Sequence, residues 1–145
     1  MDMSQYKDLF VSESREHLRK MGDLIVLLEK EADNRENIDA LFRSAHSIKG
    51  MAASMGFAAI TELAHKLEDL MDRVRKMELP FDGGVADLLL SGTDRLDAMI
   101  LDVEQGGNGD HDVAELVQRI IGYTPAPAAV PPSADAVAPS PPAEA

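Results

Sequence analysis

The chain has 145 residues, no cysteine, no tryptophan and a formal net charge of −12, with 26 acidic side chains against 14 basic ones. That balance offers no cationic footprint for a phosphate backbone or an anionic lipid surface, so nucleic acid and membrane are not expected partners. Without cysteine there is no disulfide scaffold, thiolate metal centre or thiol catalysis, and the longest aliphatic run, Leu24–Leu28, is far short of the roughly 20 residues of a bilayer span.

The opening Met1-Asp2-Met3-Ser4 is acidic and polar where a secretory signal needs a basic start and an apolar stretch, so the expected location is cytoplasmic. From about Ser4 to Glu31 apolar residues recur at three- and four-residue steps, predicting a first helix with Tyr6, Phe10, His17, Met21, Leu24, Ile25 and Leu28 on its inner side. Asp33-Asn34-Arg35-Glu36 has the form of a capping box and starts a second helix. Its stripe is Ile38, Leu41, Phe42, Ala45, Ile48, Ala52 and Met55.

Gly56 interrupts the pattern, and a third stripe follows at once: Ile60, Leu63, Ala64, Leu67, Leu70, Met71, Val74 and Met77. The second and third helices must therefore fold back antiparallel. Leu79-Pro80-Phe81-Asp82-Gly83-Gly84 punctuates before a fourth stripe of Val85, Leu88, Leu89, Leu96, Met99, Ile100 and Val103. Gly106-Gly107-Asn108-Gly109 stops it, and a short fifth helix from about Asp112 to Ile121 presents Val113, Leu116, Val117 and Ile120. The fold class is all-α: an antiparallel four-helix bundle with a fifth short helix at its edge.

All fourteen Lys and Arg residues lie at or before Arg119, whereas seven of the eight prolines lie at or after Pro125. This break divides a helical domain, residues 1–122, from an Ala/Pro-rich segment, residues 123–145, whose composition buries too little apolar surface to order and reads as a disordered linker.

His46 lies ten residues before Gly56 and His65 nine after it. At 1.5 Å per residue both stand roughly 14 Å from the turn, so the two histidines are expected level on neighbouring helices. Taking each apolar stripe as zero, His46 and Glu68 fall about 100° away and His65 about 160°, which makes none of them a core position and places them beside the interhelical groove. Lys49 lies nearer its stripe, with its stem along the groove. Gly50, four residues after His46, leaves the ring uncovered at a cost of roughly 1 kcal/mol against alanine and reads as clearance for a partner.

A carboxylate such as Glu68 bonded to one ring nitrogen fixes the tautomer and leaves the other nitrogen with a free lone pair. Lys49 nearby would counter the charge of an incoming phosphoryl group. His46, Lys49, His65 and Glu68 thus suit a nucleophilic imidazole that accepts phosphate. Solvated surface decoration fits the same spacing. A metal site at His46, His65 and Glu68 is a further alternative, which the ammonium of Lys49 opposes, and no metal is expected. Glu62-x-x-His65 matches half of a di-iron element but points outward. His17 reads as a boundary histidine and His111 as a loop residue.

The run His46-Ser47-Ile48-Lys49-Gly50-Met51-Ala52-Ala53-Ser54-Met55-Gly56-Phe57 resembles the histidine phosphotransfer (HPt) family, most closely the branch found in chemotaxis histidine kinases. Tyr6-Lys7-Asp8-Leu9-Phe10, Glu13-Ser14-Arg15-Glu16-His17-Leu18 and Glu62-Leu63-Ala64-His65-Lys66-Leu67-Glu68 extend the resemblance over about residues 4–121. It implies that His46 is phosphorylated by the γ-phosphoryl of ATP, supported by Lys49, His65 and Glu68, and passes it to an aspartate of a response-regulator receiver, CheY-like or CheB-like. It also implies that the ATP-binding kinase domain is a separate part of the same protein, which supplies ATP and Mg²⁺. This chain is then the phosphoacceptor of a histidine kinase rather than its ATP site, binds no cofactor itself, and is expected to be monomeric when isolated.

Overall fold

A computed structural model describes residues 2–125, and five helices form among them: α1 (Met3–Lys30), α2 (Arg35–Met55), α3 (Ala58–Arg75), α4 (Gly83–Glu104) and α5 (Ala114–Ile121). The described residues contain no strand, as the periodicity predicts. The Ala/Pro-rich segment, from residue 126 on, lies outside the described residues.

Each long helix packs on its sequence neighbour, and α1 also packs on α4, so the four close into a ring around one core. The fifth helix docks across α3 and α4 through Leu116, Val117 and Ile120. Met21, Ile25, Leu28, Leu41, Ile48, Leu63, Leu67 and Leu89 are fully buried where the stripes meet. Burying an aliphatic side chain of this kind contributes about 1.5–3 kcal/mol, and this term rather than helix propensity holds the bundle.

Several expected positions move. Tyr6, expected inside, is exposed, and Val11, Ser14 and Leu18 take the inner side of α1. The cap of α2 is Asn34 rather than Asp33, its side chain accepting from the backbone N–H of Asn37. Met77, expected to extend the third stripe, is 79% exposed with φ 65°. The chain has left the helix by Lys76 and turns there, so the apolar spacing outlasts the helix that would use it. The fifth helix starts at Ala114, two residues after the expected Asp112.

Gly84 and Gly92 each mark a close approach at α4. A Cβ on Gly84 would collide with the Tyr123 hydroxyl oxygen. Tyr123 can therefore lie over the start of α4, where its O–H donates to Asp82 Oδ1 at 2.6 Å. Burial and the neighbouring Asp82 push the phenol up to about 12. The bundle's contacts thus run one residue past the expected boundary at residue 122.

At Gly92 a Cβ would lie 2.6 and 2.8 Å from the two methyl carbons of Leu67. Helix propensity favours alanine by about 1 kcal/mol, but overpacking costs about 1–3 kcal/mol. Leu67 is fully buried and has nowhere to retreat. Gly92→Ala is therefore expected to lower the urea midpoint; a raised midpoint would show that α3 and α4 can separate without loss.

Candidate functional site

A left-handed glycine joins the two helices that carry the site. Gly56 has φ 78°, a conformation that costs side-chain-bearing residues free energy, and its N–H caps the carbonyls of Ala52 and Ala53. The chain then re-enters helix at Ala58, which sets α3 antiparallel to α2.

His46 projects from α2 with 60% of its side chain exposed, and its Nδ1 is hydrogen-bonded to Glu68 Oε2 on α3. The other carboxylate oxygen, Oε1, is 2.7 Å from Lys49 Nζ. His46 and Lys49, three residues apart, share one face of α2 and grip both oxygens of a single acid.

Glu68 is 6% exposed, a correction to the flank position that helical azimuth predicts. Burial disfavours its charge and would raise its pKa. Hydrogen bonds from Lys49 and His46, together with their charges, outweigh that effect and hold the carboxyl below its usual range. An ionised Glu68 can only accept, so Nδ1 carries the ring proton and Nε2 presents its lone pair on the exposed side.

The low Glu68 pKa has a testable sign. The unfolded chain binds this proton more readily, so the pair stabilises the fold above the ordinary glutamate value of 4.5 and that contribution is lost as pH falls through the lower folded value. Glu68→Gln should therefore flatten the acid limb of stability against pH in urea titrations. A limb parallel to that of the parent chain would remove the pair from the stability of the fold.

The residue hydrogen-bonded to His46 is Glu68, whereas His65, expected level with His46, pairs with Asp69. Counting from Gly56 treats the turn as helix, whereas α2 ends at Met55 and α3 begins at Ala58. Measured from those ends, His46 is nine residues in, His65 seven and Glu68 ten, which levels His46 with Glu68. His65 is exposed, with Nε2 3.6 Å from Asp69 Oδ1.

Ligating atoms of His65, Glu68 and Asp69 lie within 4.8 Å of one another, a set that omits His46. Both oxygens of Glu68 are already engaged, one by an ammonium, and that charge opposes a cation there. Glu62 is exposed, as its outward azimuth predicts. His17 is half-buried, with an Nδ1 that has no hydrogen-bond partner among the described residues. His111 lies half-buried in the loop before α5.

Gly50 is exposed, and a Cβ built on it meets no atom within 4 Å. Packing among the described residues therefore places no demand for glycine there. One neighbour of the site escaped the sequence reading: Phe42, one turn before His46, lies nearly parallel to the imidazole at 16° with ring centroids 6.3 Å apart. Its place in the apolar stripe hid this second contact, although the four-residue spacing to His46 was there to be read.

The family model described as "Hpt domain" matches residues 5–106. The chemotaxis protein CheA of Bacillus subtilis is 35% identical over 120 residues, an alignment that covers 83% of this chain and 18% of that protein. The chain thus spans less than a fifth of that relative's length. Among solved structures, the histidine phosphotransfer domain of CheA in solution superposes with a TM-score of 0.76 at 30% identity, covering 83% of this chain and 92% of that one. The phosphorylated P1 domain of CheA3, crystallised in complex with CheY6 from R. sphaeroides, gives a TM-score of 0.74 at 25% identity over 82% and 94% of the two chains.

Proposed function

The chain belongs to the Hpt domain family, and from that premise we propose that His46 is its phosphoacceptor, charged by a separate ATP-binding kinase domain and discharged to the aspartate of a receiver. The observation that carries this reading is an imidazole held at Nδ1 by a buried carboxylate while the rest of the ring faces solvent. The Nε2 lone pair attacks the γ-phosphorus of ATP, an N–P bond forms, and the bond to the departing ADP oxygen breaks. Positive charge developing on the ring is offset by Glu68, which keeps the Nδ1 proton in place throughout. In the return step a receiver carboxylate attacks the same phosphorus and the N–P bond breaks, restoring the neutral imidazole.

Lys49 secures Glu68 through their 2.7 Å ion pair and adds positive charge near the incoming phosphoryl group. His65, also part of the family pattern, acts at the open edge of the groove beside Asp69. Gly50 leaves that approach clear. Phosphoryl transfer depends chiefly on positioning and charge, and the partners bring most of both, including ATP and Mg²⁺.

The kinase domain of the same protein and CheY-like or CheB-like receivers are the partners this reading names. Complex formation between a related P1 domain and CheY6 supports the receiver. No helix among the described residues is long and apolar enough to cross a membrane. The Ala/Pro composition of residues 123–145 suits a tether that raises the domain's effective concentration at its kinase.

Incubation with ATP and a CheA-type kinase domain, followed by mass-spectrometric mapping, tests the proposal. One acid-labile phosphate on His46 is expected. Label on another residue, or none, would overturn it.

A further inference from the structure

A hydrogen bond to one ring nitrogen leaves an imidazole free to rock about that contact. Glu68 fixes Nδ1 of His46, and the direction of the Nε2 lone pair then depends on what sets the plane of the ring. The only aromatic ring found stacked against His46 among the described residues is Phe42, at 6.3 Å and 16°. That separation lies in the range of offset aromatic pairs. The phenyl ring is itself held on its side. The Arg75 guanidinium sits 4.1 Å from the Phe42 centroid, within cation–π range.

Arg75 ends α3 and is anchored by acids from both helices, with Nη2 2.8 Å from Asp72 Oδ1 and Nη1 3.6 Å from Asp39 Oδ1. Both acids are shared, Asp39 with Arg43 and Asp72 with Lys76 at 2.9 Å, so the guanidinium is held inside a network of ion pairs within the domain. Its planar face is spent on Phe42. Along the α2–α3 hairpin the contacts run from Asp72 and Asp39 to Arg75, Phe42, His46 and Glu68.

We propose that Phe42 and Arg75 are positioning residues for phosphoryl acceptance: Arg75 clamps Phe42, and Phe42 sets the plane of the His46 ring so that Nε2 faces the donor. The inference rests on His46 being the phosphoacceptor. It divides labour at the site, with Glu68 choosing which nitrogen reacts and the Phe42–Arg75 pair choosing the direction in which it points.

The test uses the full 145-residue chain, ATP and a CheA-type kinase domain, and measures kcat and KM for the chain as substrate. Phe42→Leu keeps apolar volume but removes the flat face, and Arg75→Gln removes the clamp. Each is expected to lower kcat about three- to tenfold with KM unchanged, since misdirection costs rate rather than association. Phe42→Tyr should restore the rate. The double variant should be no slower than the worse single one, because both act through one contact.

Nitrogen-15 spectra of the His46 ring should keep Nδ1 as the protonated atom in every variant, which separates loss of ring direction from loss of Glu68. Rates within about twofold of the parent, additive losses or a changed tautomer would overturn the clamp. Should a single variant unfold, the Phe42→Tyr rate and the ring spectra still decide the question. Failure of the parent chain to be labelled at His46 would instead remove the premise, a separate outcome.

Discussion

His46→Gln is expected to abolish ATP-dependent labelling while leaving the helical circular dichroism spectrum and thermal unfolding close to those of the parent chain. The glutamine amide has no nucleophilic lone pair comparable to that of Nε2, yet its N–H₂ group can still donate to Glu68 Oε2, where the His46 ring now binds. The substituted side chain stands mostly in solvent, so the change in stability should stay within about 0.5 kcal/mol. Measured together, label and spectrum distinguish a lost acceptor from a lost fold. Undiminished labelling in the folded variant would refute His46 as the acceptor.

Glu68→Gln carries the second large effect. The amide is nearly the same size but donates as well as accepts, so either ring tautomer finds a partner and the enforced lone pair at Nε2 is lost. Loss of an orienting partner of this kind typically costs 10- to 100-fold, and phosphorylation is expected to slow by about that much. Lys49 loses its anion as well, though its partial exposure lets the ammonium turn to water. An initial labelling rate equal to that of the parent chain would exclude Glu68 from the mechanism, whatever its place in the fold.

Spacing alone makes the helices legible, because a bundle needs little more than a repeating apolar stripe and breaks between stripes. Every apolar residue assigned to the fourth stripe is buried, from Val85 to Val103. What spacing misjudges is where helices stop and how many neighbours each one has. Met77 continues the numerical pattern of α3 but not its backbone. Glu68 lies off the centre of its stripe, yet α3 packs on α2, α4 and α5 together, so its flank is covered too. The docking of Tyr123 against Asp82 joins positions 41 residues apart, and no local signal announces it.

The candidate site was legible as a set of residue types and less so as a geometry. The family pattern brings His46, Lys49, His65 and Glu68 together. Residue counting from Gly56 levels the two histidines, whereas counting from the helix ends at Met55 and Ala58 levels His46 with Glu68. Only the three-dimensional arrangement shows Arg75, 29 residues along the chain from His46, pressing on the ring beside it.

His46 and Glu68 are 22 residues apart on a single helical hairpin. Short sequence separation makes such a contact quick to form and independent of distant pairings. Changes of length between α3 and α4, or before α5, leave the count across the Gly56 turn untouched. The His46–Glu68 contact is therefore self-contained within one hairpin, so insertions in the outer wall or in later segments leave its geometry in place.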